Sequence, residues 1–145
     1  MTPLISFIVT YHNEPEAYLR ACLESIQALP LAKDEAEIIV VDDGSSKDPS
    51  KPPREGEASC FSPLRGELKG VYIRQEQSGL SVARNTGIAN ARGLYIQFVD
   101  ADDQLIPSAY ETVLEQIRKG EADVVMFRMT TKPTAPLSLP RGGVF

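Results

Sequence analysis

Three aspartates in four residues, Asp100, Asp102 and Asp103 of "DADD", terminate the apolar run "LYIQFVD" that begins at Leu94. Carboxylates this close repel one another unless a cation sits among them or water screens them. If the chain stays extended, Asp100 and Asp102 point to one side, their α-carbons about 6.5 Å apart at a rise of about 3.3 Å per residue, and Ala101 points away. No Lys or Arg neighbours them in sequence. Two carboxylates so placed suit a hard divalent cation, Mg2+ or Mn2+. Two other readings stay open from these residues alone. In an EF-hand loop Asp100, Asp102 and Glu111 would fall at positions 1, 3 and 12, but Leu105 stands at the position that needs glycine. In a solvated turn, Asp103 would cap the helix that follows.

Other polar clusters accompany this one. "TYHNE" spans Thr10 to Glu14 and holds the single histidine, His12, with no serine or cysteine elbow to make a triad with it. "DDGSS" from Asp42 is an ordinary turn composition, or a carboxylate able to accept from a ring N–H or a ribose hydroxyl. "QSGLSVARNTG" from Gln77 puts Arg84 on the early turns of a helix, where backbone N–H groups favour an anion. Arg84 could hold a phosphate there, or pair with Asp100 or Asp102.

The elements that would position these clusters are short. Five apolar runs, starting at Leu4, Glu37, Gly70, Leu94 and Asp123, are nearly continuous and rich in β-branched and aromatic residues, as strands covered on both faces are. Helical patterns lie between them. Pro15 opens one in which Tyr18, Leu19, Cys22, Leu23 and Ile26 recur at three- and four-residue spacing; a second spans Ser81 to Ala91, with serine as cap and Ala and Ile inward; a third spans Ser108 to Lys119, closed by Gly120. Alternation of this kind predicts an α/β fold, an open, mostly parallel, Rossmann-like sheet with flanking helices. Ligands bind such sheets beyond the carboxyl ends of the strands, and the polar clusters follow the first, second and fourth strands. Residues 44–69 carry four prolines and predict a loop insertion; residues 132–145 predict a Pro/Gly-rich tail.

Composition excludes several classes. A chain of 145 residues, 42% hydrophobic, predicts one domain. A net charge of -5 with scattered Lys and Arg argues against nucleic acid as a partner. Cys22 and Cys60 lie far apart in unlike surroundings and predict free thiols of a reducing compartment. No apolar run approaches a membrane span, so the expected location is the cytoplasm, with any membrane association made through parts outside this chain.

Taken in order, "SFIVTYHNE", "EIIVVDDGSSKD" and "GLSVARNTGIANARGLYIQFVDADD" resemble the family 2 nucleotide-diphospho-sugar glycosyltransferases, inverting enzymes of the GT-A fold. The match covers almost the whole chain apart from residues 49–69 and the tail, and Thr10 departs from it where the family usually carries proline. The resemblance implies that Thr10, Tyr11 and Glu14, with Asp42 or Asp43, line a uracil and ribose pocket, and that Arg84 approaches the nucleotide. It also implies that Asp100 and Asp102 form a DxD motif, with Asp102 favoured as the direct metal ligand. The implied partners are a nucleotide-diphospho-sugar donor, probed as a UDP-sugar, and a saccharide, lipid or protein acceptor. The implied cofactor is Mn2+ or Mg2+.

Inverting transfer needs a general base, which the resemblance places after further strands. No Asp or Glu follows Asp123, which itself begins the fifth apolar run at the wrong end for the crevice. The expectation is therefore an incomplete domain: the donor-binding part of a longer enzyme, its base beyond residue 145, inactive alone and able to self-associate through exposed edges. The alternative is a non-catalytic nucleotide-sugar or metal-binding module. A phosphoacceptor domain would want an acidic pair after the first strand, and a dinucleotide-binding domain a glycine-rich turn; "TYHNEPE" supplies neither.

Overall fold

The computed structural model describes residues 2–49 and 68–130. Most of the 44–69 insertion, Cys60 and the 132–145 tail lie outside the described residues.

Four strands, β1 (Ile5–Tyr11), β2 (Ala36–Asp43), β3 (Lys69–Gln75) and β4 (Tyr95–Asp100), form one parallel sheet in the order β3-β2-β1-β4. Every residue of β1 and β2 is buried, which explains their unbroken apolar character. The edge strands β3 and β4 are only partly covered, contrary to the expectation of burial on both faces: Val71, Ile96 and Phe98 stay exposed. The chain winds outward from β1 to β3 and then returns to the other side of β1, so the direction of winding switches between β1 and β4. The register there pairs Thr10 with Asp100 and, on the other side, Tyr11 with Asp42.

Helices cover the two faces unequally. On one face α1 (Glu16–Gln27) and α3 (Pro107–Lys119) pack Leu19, Cys22, Leu23 and Ile26, and Tyr110, Leu114 and Ile117, against Phe7, Val9, Ile38 and Val40. Pro107 opens α3 and Gly120 closes it in the left-handed region, φ 67°, as glycine permits at a helix end. On the other face α2 (Leu80–Asn90) is the one described helix over β1 and β2.

Helix α2 differs from its sequence expectation in two ways. No serine caps it; Gly79 does so at φ 94° with no side-chain bond of its own. Its buried face is Ala83 and Gly87, while Ile88 points outward. A Cβ at Gly87 would stand 2.3 Å from Ile8 Cγ2, so the helix reaches the sheet only where a side chain is missing.

The fifth apolar run is not a strand. Residues 123–129 form no ladder with the sheet, although they keep a period of two: Val125 and Phe127 pack on the core, and Val124 and Met126 face out, 76% and 88% exposed. Strand-forming residues become a strand only with a partner, and among the described residues no strand pairs with this run.

At the amino end of the sheet, a buried charge ties three elements together. Glu37 of β2 accepts from Ser6 Oγ (2.7 Å), from the Arg92 backbone N–H (2.7 Å) and from Arg92 Nε and Nη2 (3.0 and 2.6 Å). Ser6 Oγ in turn accepts the Gly93 N–H at 2.8 Å. Burial alone would raise the Glu37 carboxyl; these donors outweigh it and hold the carboxyl below its ordinary value. A lowered folded-state value stabilises the fold above the ordinary glutamate range, and that contribution is lost as pH falls through the folded value. Glu37→Gln should therefore cost about 2 kcal/mol at neutral pH, with the difference from wild type shrinking below about pH 4, as urea unfolding at a series of pH values would read.

Candidate functional site

Strand alternation decides which side chains meet. Ile39 and Val41 of β2 point to α2 and pack with Ala83, so Asp43, two residues on, faces α2 as well. Asp42 points the opposite way. It is fully buried and already engaged: Tyr72 Oη donates to Oδ2 at 2.7 Å, the Ser45 N–H donates to Oδ1 at 2.9 Å, and Arg74 Nη1 lies 3.5 Å from Oδ2.

Asp43, Thr10 and Asp100 share the α2 side, at the carboxyl edge of β2, β1 and β4, around a cavity of about 420 Å³. Tyr11 at the end of β1, His12 and Glu14 just after it, and Asp102 after β4 line it too. Gln77, Gly79, Leu80 and Ala83 form its remaining wall. Of the expected site residues, Thr10, Tyr11, Glu14, Asp43, Asp100 and Asp102 border this one cavity, whereas Asp42 and Arg84 are not in its lining.

Asp43 anchors the start of α2. Its Oδ1 accepts the Ser78 N–H and the Gln75 amide, both at 2.8 Å, and its Oδ2 accepts the Gly79 N–H at 2.8 Å. The anion that the helix start attracts is thus a side chain from β2. Burial pushes the Asp43 carboxyl up, but the bonds from Ser78, Gln75 and Gly79, with His12 nearby, bring it below the ordinary aspartate value. A carboxylate offers about four acceptor positions, and three are filled, which leaves one on Oδ2 for a ligand donor.

His12 is oriented from the same turn. Its Nδ1 lies 2.7 Å from the Asp43 carbonyl oxygen, which can only accept, so Nδ1 carries the hydrogen. Nε2 then faces the amide nitrogens of Asn13 and Gln77, at 3.3 and 3.4 Å. Tyr11 is buried, its hydroxyl donating to the Glu14 carbonyl at 3.0 Å, and the Glu14 carboxylate accepts the His12 N–H. Asn13 holds a positive φ of 60°, and its Oδ1 accepts the Ser46 N–H at 2.8 Å, joining the turns after β1 and β2.

The DADD segment does not continue as an extended strand. β4 ends at Asp100, the chain turns at Ala101 and Asp102, and the Asp103 N–H donates to the Asp100 carbonyl at 2.9 Å. Three adjacent carboxylates are easier to separate on a turn, and here Ala101 and Asp103 are buried while Asp102 is exposed at the apex. No side chain caps α3, so Asp103 is not its cap. Arg84 Nη2 pairs with Asp100 Oδ1 at 3.3 Å, and its guanidinium lies 5.4 Å from the centre of the Phe98 ring. Thr10 Oγ1 donates to the same oxygen at 3.4 Å, a contact proline could not make. Asp102 makes no hydrogen bond or ion pair among the described residues.

Among the described residues no three His, Cys, Asp or Glu side chains form a metal-ligand group. The chain's own donors are Asp100 and Asp102, and that set fits a cation of the Mg2+ kind, which takes one or two carboxylates and completes its shell with phosphate oxygens and water. An all-protein calcium cage does not fit, and Glu111 lies in α3 outside the cavity lining. Cys22 is a free, buried thiol under the turn; burial, then the charges of Asp103, Asp102 and Asp100, raise it far above an ordinary thiol.

The parallel sheet, with three carboxylates around a cleft at the carboxyl ends of its strands beside the switch point, is an open α/β domain of the kind that solved GT-A transferases share. Residues 6–142 match Glycosyl transferase family 2, and the chain belongs to that family. It is 36% identical over 126 residues to the uncharacterized glycosyltransferase EpsJ of Bacillus subtilis, covering 86% of this chain and 33% of that protein. It is 38% identical over 122 residues to the glycosyltransferase GlyA of Streptococcus pneumoniae, covering 84% of this chain and 16% of that one. The crystal structure of Staphylococcus aureus TarS superposes with a TM-score of 0.74 at 25% identity, over 93% of this chain and 23% of TarS. The mannosyltransferase PcManGT of Pyrobaculum calidifontis, solved with GDP-Man and Mn2+, shares the fold at a TM-score of 0.61 and 22% identity, over 79% of this chain and 32% of its own. The chain thus spans about a third or less of these proteins.

Sequence marked His12 only as the single histidine, with no role in the site, and assigned none to Gln77 or Gly79. Their signal was topological: each follows a strand end and adjoins a turn already marked by Asp43. Asp43→Asn should lower stability by about 1–3 kcal/mol by removing charge-assisted bonds at the start of α2, measured by chemical unfolding.

Proposed function

We propose that this chain is the donor-binding part of a longer, metal-dependent, inverting glycosyltransferase that moves a hexose-type sugar from a nucleotide-diphospho-sugar, a UDP-sugar being the class expected. The acceptor would be a saccharide, lipid or protein. The supporting observation is the meeting of Asp43, Asp100 and Asp102 with Thr10 and Glu14 around one cavity at the sheet's switch point. Cell-envelope polysaccharide synthesis is the setting proposed, since the relatives include the minor teichoic acid biosynthesis protein GgaB of Bacillus subtilis, 33% identical over 123 residues, 83% of this chain and 13% of that protein.

In this reading the base and ribose lie against β1 and β2. The open acceptor position on Asp43 Oδ2 takes a ring N–H or ribose hydroxyl, while Thr10, Tyr11 and Glu14 wall the pocket. Asp42, fully buried on the opposite face of β2 and held by Tyr72, Ser45 and Arg74, supports the turn from that face and does not touch the nucleotide. The diphosphate lies over Asp100 and Asp102, and Arg84, already held at Asp100, supplies a mobile positive charge toward it. Asp102 and Asp100 would hold a divalent cation there, and when bound it would supply charge stabilisation for the departing nucleoside diphosphate. The chain's residues bind and orient the donor; the general base comes from beyond residue 145, and the enzyme works on the cytoplasmic side.

Calorimetric titration of UDP and UDP-sugars into the intact protein, with and without Mn2+, tests this reading. Metal should strengthen binding, Asp102→Ala should abolish that dependence, and residues 1–145 alone should bind weakly and transfer no sugar. Metal-dependent binding unchanged in Asp102→Ala would contradict the assignment.

A further inference from the structure

The turn that carries Asp102 is gripped from beneath by one face of α1, and we infer that Cys22 and Ser25 are positioning residues for the metal-binding carboxylates. The inference rests on the donor-site reading above. Cys22 and Ser25 lie three residues apart on a helix, so their side chains share a face. The Cys22 thiol donates to the Asp100 backbone carbonyl at 3.8 Å, and Cys22 is completely buried. Ser25 Oγ accepts the Leu105 N–H at 3.0 Å and donates to the Cys22 carbonyl at 2.6 Å.

These contacts hold the turn at both ends, Asp100 and Leu105, from an element about 80 residues earlier in the chain. Within the turn, the Ala101 N–H donates to Thr10 O at 3.1 Å and the Asp103 N–H to Asp100 O at 2.9 Å, so the backbone on either side of Asp102 is fixed. Among the described residues the Asp102 side chain has no hydrogen-bond or ion-pair partner to aim it, so its direction follows from that backbone. A small divalent cation is demanding about ligand geometry, so looseness in the turn should appear as weakened metal binding. Ser25 is the stronger support, because an O–H group bonds better than a thiol does.

The test uses the intact protein, titrated with Mn2+ in the presence of UDP or GDP. Ser25→Ala should raise the Mn2+ concentration for half-maximal nucleotide binding about 10-fold and leave nucleotide affinity at saturating Mn2+ unchanged. Ser25→Thr, which keeps the hydroxyl, should recover the wild-type midpoint. Ser6→Ala, which loosens the Glu37 clasp at the far end of the sheet, is the structural control: it should lower the melting temperature without moving the Mn2+ midpoint. Should Ser25→Ala fail to fold, Cys22→Ala carries the same comparison. An unmoved midpoint in the α1 variants, or an equal shift in Ser6→Ala, would overturn the positioning role. Wild-type protein binding neither nucleotide more tightly with Mn2+ would overturn the donor-site reading, and this inference with it.

Discussion

Negative charge gathered along one edge of a parallel sheet is the constraint around which the molecule is arranged. Because the strands run the same way, their register brings the ends of β1, β2 and β4 together, and with them Asp42, Asp43, Asp100 and Asp102. Each carboxylate is accommodated differently. Asp42 is buried with Tyr72 and Arg74, Asp43 takes the N–H groups at the start of α2, and Asp100 takes Arg84 and Thr10. Asp102, exposed at the apex of its turn and without a hydrogen bond or ion pair among the described residues, keeps a charge that is screened and available.

Two glycines let this arrangement close. Gly44, at φ 72°, turns the chain immediately after Asp43, and a Cβ there would stand 2.7 Å from the Gln77 nitrogen. Gly87 lets α2 settle on Ile8 and hold its amino end near Asp43. At the opposite edge the same logic appears in structural form, where the buried Glu37 is neutralised by Arg92 and fixes the connection from α2 into β4. The charge at the amino edge is thus paired, and the available charge sits at the carboxyl edge.

Much of this was legible in the sequence because it is local. The four paired strands, the three helices and the polar clusters at strand ends all follow from short-range pattern and chain order. The choice between Asp42 and Asp43 was also encoded, in the alternation of Ile38 and Val40 against Ile39 and Val41, but a continuous apolar run hides its own period. What could not be read is what distance in sequence conceals: Glu37 with Arg92, Asp43 with Ser78 and Gly79, Ser25 with Leu105. The run at 123–129 erred in the other direction, since its residues suit a strand that its surroundings do not complete. Most of the insertion, and the tail, fall outside the described residues.

Anomalous diffraction at the manganese edge, from crystals of the intact protein grown with Mn2+ and UDP, tests the central claim most directly. The account predicts one strong peak at the carboxyl end of β4, within ligand distance of Asp102 and beside Asp100, with the diphosphate on its other side and the base toward Asp43. A peak bound elsewhere, or UDP seated away from Thr10 and Asp43, would contradict it.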